Sequence, residues 1–94
     1  MQSQPKLFAV ARRDLSKSQQ GVQCGHAALQ YLLENPDTEW NNGTLVFMKA
    51  PIDEIEKFRE DLDQYAEFYE PDIGNELTAI ATVGDDLFPG LRLV

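Results

Sequence analysis

Cysteine, histidine and tryptophan each occur once in this chain of 94 residues. A lone Cys24 closes no disulfide, and Cys24 with His26 falls short of a Cys/His zinc set. No metal and no cofactor is therefore expected. Positive charge is scarce as well: eight Lys and Arg stand against sixteen Asp and Glu, a formal charge of −8. Long nucleic acids bind by releasing counterions to clustered bases, and a surface this acidic repels them. No apolar run approaches the roughly 18 residues of a membrane span, and the opening MQSQPK has no apolar signal core. A membrane is not an expected partner, and the expected compartment is the cytoplasm.

What is present is globular. Hydrophobic residues make up 43% and charged residues 26%, which suits a single domain over residues 1–94. The charge is unevenly spread. Residues 1–33 carry Lys6, Arg12, Arg13 and Lys17 against Asp14 alone, whereas residues 34–94 carry the other fifteen acids and four bases. A small phosphorylated ligand can find the basic first third.

The apolar pattern predicts the order βαβαββ. Lys6–Arg12 reads as a strand buried on both faces. Ser16-x-x-Gln19 is a capping box opening a helix that runs to Glu34, with Val22, Gly25, Leu29 and Leu33 at helical spacing. Asn35-Pro36 ends it. A loop follows to Asn42-Gly43, which reads as a turn although Asn42-Gly43-Thr44 matches a glycosylation acceptor. Thr44–Ala50 is a second buried strand. Pro51 opens a second helix to Tyr65, with Ile52, Ile55, Phe58, Leu62 and Tyr65 as one stripe and Asp53, Glu54 and Glu56 at its positive end. Glu67–Pro71 and Leu77–Val83 are the last strands, followed by a short apolar tail. The expectation is an α/β three-layer sandwich: a four-stranded mixed sheet with helices on both faces.

Two segments draw attention to function. In Asp14–Leu29, DLSKSQQGVQCGHAAL, Gly21 and Gly25 share a helix face at a cost of about 1 kcal/mol each against alanine. That cost implies close approach by the sheet or by a ligand. The helix N-terminus over Ser18, Gln19, Gln20 and Gly21 favours an anion, and Arg12 or Arg13 would give it charge-assisted bonds. Pleating sends those two arginines to opposite faces. A lone helical His26 is more often structural than catalytic, and Cys24 reads as a small buried side chain. In the second segment, Tyr69–Ala81, Asp72 follows a proline at a strand exit. It is either turn chemistry or a carboxylate that orients a ribose hydroxyl or acts as a base. Asn75 can pair with a sugar or base edge, and Thr78 opens the next strand.

Together these pieces resemble the type-II peptidyl-tRNA hydrolase family. The residues that carry the resemblance are Arg12-x-Asp14-Leu15, Gln23-Cys24-x-His26-Ala27, Asp72-x-Gly74, Thr78-Ala79-Ile80-Ala81 and Gly90-Leu91-x-Leu93. They span nearly the whole chain. The resemblance implies a mixed four-stranded sheet, commonly a homodimer, and metal-free hydrolysis of the ester joining a peptide to the 3′ adenosine of tRNA. It also implies catalytic roles for Asp72 and Thr78. One departure matters: the family's catalytic lysine, four residues ahead of the glutamine, is Gln19 here. Lys17 is the nearest substitute, displaced along the helix.

Two functions follow as expectations. In the first, the chain is a binding protein that holds, and sequesters, a small nucleotide-type ligand, with Arg12, Arg13, Ser18, Gln19, Gln20, Gly21, Gln23, His26 and Asn75 around it. In the second, it is a peptidyl-tRNA hydrolase acting on the 3′ end of tRNA through Asp72, Thr78 and Lys17.

Overall fold

The computed structural model describes residues 4–94. The strands are β1 (Lys6–Arg12), β2 (Leu45–Ala50), β3 (Ala66–Glu70), β4 (Glu76–Gly84) and β5 (Arg92–Leu93). The helices are α1 (Lys17–Glu34) and α2 (Ile52–Asp61), with a single 3-10 turn over Pro71–Ile73. The strands form one open sheet in the order β3-β4-β1-β2-β5. β1 and β2 are parallel, and β4 runs antiparallel to both β1 and β3.

Among the described residues the sheet has five strands rather than the expected four. β5 adds an antiparallel edge to β2 through Met48↔Leu93 and Lys49↔Arg92. Two residues are too few to show a period of two, and both are exposed. Only the pairing makes them a strand.

Alternation divides β1 between two layers. Leu7, Ala9 and Ala11 join Cys24, Ala27, Ala28 and Tyr31 of α1. Phe8 and Val10 join Ile55 of α2, with Met48, Ile80 and Phe88. The apolar tail is the second plug of the α2 side. Phe88 meets the Phe58 ring edge-on at 4.8 Å and the Phe8 ring at 5.9 Å, and Leu87 and Leu91 pack beside them.

Helix α1 begins on Ser16, whose hydroxyl accepts the Gln19 N–H at 3.2 Å. The reciprocal half of the expected capping box is not made: the Gln19 side chain turns along the helix and accepts from Gln23 Nε2 at 3.2 Å. At the other end, Asn35 donates to the Tyr31 carbonyl through both its backbone N–H and its side-chain amide. Asn42 takes a left-handed backbone, φ 67°, as its turn requires.

Helix α2 ends at Asp61, four residues short of the expected Tyr65, because Leu62 is already extended. Leu62 still packs on the core from that position, so its place in the apolar stripe said more about burial than about helix. Ten residues are too few for a helix to stand alone in water. Ile55, the one fully buried residue of α2, contributes on the order of 2 kcal/mol through burial.

The two helical glycines are not close-packing sites within the chain. A Cβ added to Gly21 or Gly25 would meet nothing within 4 Å. Each Gly→Ala change is therefore expected to raise stability by roughly 0.5–1 kcal/mol, through helix propensity alone. Denaturant unfolding with an unchanged slope checks this, and a fall in the midpoint would contradict the open space.

Candidate functional site

The carboxyl ends of β1 and β2, the start of α1 and the turn before β4 lie at the same end of the sheet's strands. Three residues of α1, Gln19, Gln23 and His26, share a helix face at spacings of four and three, and this face turns toward β3 and β4. Gln23 is wholly buried. Its amide donates to Glu70 Oε2 at 2.8 Å as well as to Gln19. Its carbonyl oxygen accepts the Thr78 hydroxyl at 2.6 Å. Every polar atom of this buried amide is satisfied, as burial demands.

The same bonds define what Thr78 can do. It has no solvent exposure, and its single proton is directed to Gln23 Oε1, with the Phe68 carbonyl a longer 3.3 Å away. The Gln23 amide stands between this hydroxyl and the Glu70 carboxylate, so the carboxylate cannot take the hydroxyl proton directly. In this arrangement the hydroxyl orients the Gln23 amide.

By sequence Glu70 is a strand residue. In the structure it is the hinge of the site. One carboxylate oxygen accepts from Gln23 and the other from the Asp72 backbone N–H at 3.2 Å, capping the 3-10 turn. The Gln23 bond, then the Asp72 N–H, hold its pKa below the ordinary glutamate value, and the charge of His26 adds to this. A carboxylate directly before Pro-Asp, able to cap the turn that follows, is the signal that would have pointed to it.

Asp72 sits in that turn, exposed, and its carboxylate makes no bond or ion pair within the described residues. Gly74 and Asn75 follow with φ of 64° and 62°, and the Asn75 N–H returns to the Glu70 carbonyl at 3.0 Å. Two successive left-handed residues fix the turn tightly. His26 is exposed, and its ring lies parallel to that of Phe68, 4.4 Å away and 7° from coplanar. Phe68 covers one face of the imidazole.

The two arginines diverge. Arg12 is only 16% exposed at its side chain and forks between Asp14, at 2.6 and 3.0 Å, and Glu76, at 3.1 Å. These bonds raise the guanidinium pKa and lower that of Asp14. Its charge is already balanced by two acids. Arg13 is exposed and points elsewhere, into a recess with Lys49 and Arg92. The anion shelf expected over Ser18 to Gly21 is also narrower than it looked. The Gln19 N–H is taken by the Ser16 hydroxyl and the Gln20 N–H by the Ser16 carbonyl. Ser18 Oγ lies 3.4 Å from Ser16 Oγ, and Lys17 is exposed at the first position of the helix.

Gln20 has a structural role instead. Its amide donates to the Arg13 and Leu15 carbonyls at 3.1 and 2.8 Å, tying down the turn between β1 and α1. Its Oε1 is buried without a partner among the described residues. Cys24 is fully buried with its sulfur 3.6 Å from the Ala9 and Met48 carbonyls. Burial pushes the thiol up to about 12, so it carries no thiolate chemistry near neutrality.

Among the described residues no group of three or more His, Cys, Asp or Glu is arranged to hold a metal ion, and no helix is long and apolar enough to cross a membrane. A recess of about 490 Å³ is lined by Glu34, Asp37 and Glu39 among others and disfavours an anion. No protein-family model and no curated protein matches the chain.

Proposed function

We propose that this protein is a nucleotide-type ligand binder built on a peptidyl-tRNA-hydrolase-like domain, with little hydrolytic activity of its own. The observation that carries the reading is the exposed His26 ring, stacked on Phe68 of the strand that runs into the Asp72 turn. A flat base can continue the stack, since each base has a π-face and such stacking contributes about 1–3 kcal/mol. The Asp72 carboxylate and the Asn75 amide then accept from and donate to sugar hydroxyls or base edges. Glu70 and Gln23 hold the turn and helix in register for this. The buried, donated Thr78 hydroxyl and the glutamine at position 19 both favour holding over cleaving.

The reading includes a cytoplasmic location and the homodimer that the resemblance implies. Val22, Leu29, Leu33 and Leu45 are exposed and are the apolar surface such a pair would cover. Hydrolysis of peptidyl-tRNA is the second reading, and what favours it is that Asp72 remains free to act as a base.

Isothermal calorimetry with mono-, di- and cyclic nucleotides tests the binding. His26→Ala and Asp72→Ala are each expected to weaken the tightest nucleotide by about tenfold or more, with the fold retained by circular dichroism. A panel in which none binds, or a tight ligand indifferent to both changes, overturns the reading. Native mass spectrometry of protein purified from cells identifies a nucleotide carried through purification.

A further inference from the structure

We infer that a second site, separate from His26 and Asp72, binds a phosphate group in the recess formed by Arg13, Lys49 and Arg92. The recess holds about 200 Å³ and lies outside the carboxyl ends of β1 and β2, closed by Pro51, Glu54, Gly90 and Leu91. Its position has a topological cause. β1 and β2 are adjacent and parallel. The chain leaves β1 for α1 on one side of the sheet and leaves β2 for α2 on the other. Neighbouring parallel strands whose connections part in this way open a crevice at their carboxyl ends, where α/β proteins seat ligands.

Three cations meeting there is unexpected in a chain with twice as many acids as bases. Lys49 and Arg92 are direct cross-strand partners, so their side chains leave the same face a few ångströms apart, and like charges in that relation repel. Arg13 adds a third charge. None of the ion pairs formed among the described residues relieves them: those pairs occupy Lys6, Arg12 and Arg59. Glu54, the one acid on the recess among the described residues, offsets a single charge. Arg13 is not a loose surface residue either, since its N–H is bonded to the Ala50 carbonyl at 2.9 Å and its carbonyl is held by Gln20. Helix α2, which starts at the recess, carries Asp53 and Glu54 in its first turn, so its positive end adds little to this field. A phosphate, with two charges and oxygens for the Arg13 and Arg92 forks, satisfies this arrangement. Chloride or a carboxylate supplies less charge and fewer acceptors.

The probe is inorganic phosphate at low ionic strength, followed by amide shifts in two-dimensional NMR and by thermal unfolding. Saturable shifts at Arg13, Ile52 and Arg92 are expected, about tenfold weaker in affinity or more for Arg13→Gln with Arg92→Gln. Lys17→Gln, an exposed cation outside the recess, should leave the affinity unchanged. Arg92→Gln should also raise the unfolding midpoint without phosphate, by relieving the Lys49 repulsion, while abolishing the rise that phosphate gives the wild type. A nucleoside monophosphate binding with the same affinity as inorganic phosphate assigns the site to the phosphate group alone, and tighter binding assigns it to the phosphate of a nucleotide. Shifts equal to those from chloride, or an affinity lowered as much by Lys17→Gln as by the arginine changes, overturn the site. The Asp72→Ala and His26→Ala variants keep phosphate binding if the two sites are separate, so either site can fail without the other.

Discussion

Thr78→Val is expected to lower stability by about 2 kcal/mol, although valine is close in shape to threonine. The hydroxyl is wholly buried, and its 2.6 Å bond to Gln23 Oε1 is the one hydrogen bond that oxygen receives among the described residues. Valine leaves this acceptor buried and unpaired, which costs roughly 1–3 kcal/mol. For a domain of this size that corresponds to a fall in the unfolding midpoint of about 8–16 °C. Removing the partner as well should recover most of it: Gln23→Leu with Thr78→Val replaces both polar groups by apolar ones of similar shape. The pair is in direct contact, so the double variant should fall well short of the summed single losses. Calorimetric melts of the four proteins complete the cycle. A Thr78→Val protein as stable as the wild type would remove Thr78 from the structural network and return it to consideration as a catalytic hydroxyl.

Peptidyl-tRNA hydrolysis at low salt is expected to be two to three orders of magnitude below that of a lysine-bearing domain of the resembled family. A cation beside a developing oxyanion is worth about 3 kcal/mol, and the side chain at that place is an uncharged amide. Gln19 accepts from Gln23, and Lys17, at the first position of α1, lies two residues away along the helix. Gln19→Lys should raise the rate, and Lys17→Gln should change it little. The substitution costs Gln23 only one of two acceptors, because the Glu70 bond at 2.8 Å remains. A fast wild type, or a Gln19→Lys protein no faster than its parent, would show that charge at this position does not limit the reaction.

How much of the site could be read in the chain follows from how local each feature is. Gln23, Cys24 and His26 stand at helical spacing, so one helix face carrying Gln23 and His26 and another burying Cys24 were legible before any fold was known. The turn at Asp72-x-Gly74 was legible from its residue types. Glu70 was not. Its role depends on Gln23 arriving from 47 residues away, and no periodicity encodes a contact between a helix and the far strand of a sheet. The fates of Arg12 and Arg13 were half legible. Pleating predicted that they part, but only the antiparallel pairing of β1 with β4 brings Glu76 within 3.1 Å of Arg12.

By itself the sequence determined the composition of the layers. Runs buried on both faces, two apolar stripes, a serine N-cap and turn residues between them imply a mixed α/β sheet through local sterics and burial. Tertiary structure decided what locality cannot reach. The tail pairs as β5 because β2 has an open edge that its backbone groups can satisfy. The second helix stops at Asp61 because Leu62 reaches the core from an extended backbone. The basic residues of the first third do not gather at the helix start: Arg12 is balanced by acids, while Arg13 meets Lys49 and Arg92. Charges far apart in sequence become neighbours only through strand order, and it is strand order that places the positive recess between β1, β2 and β5.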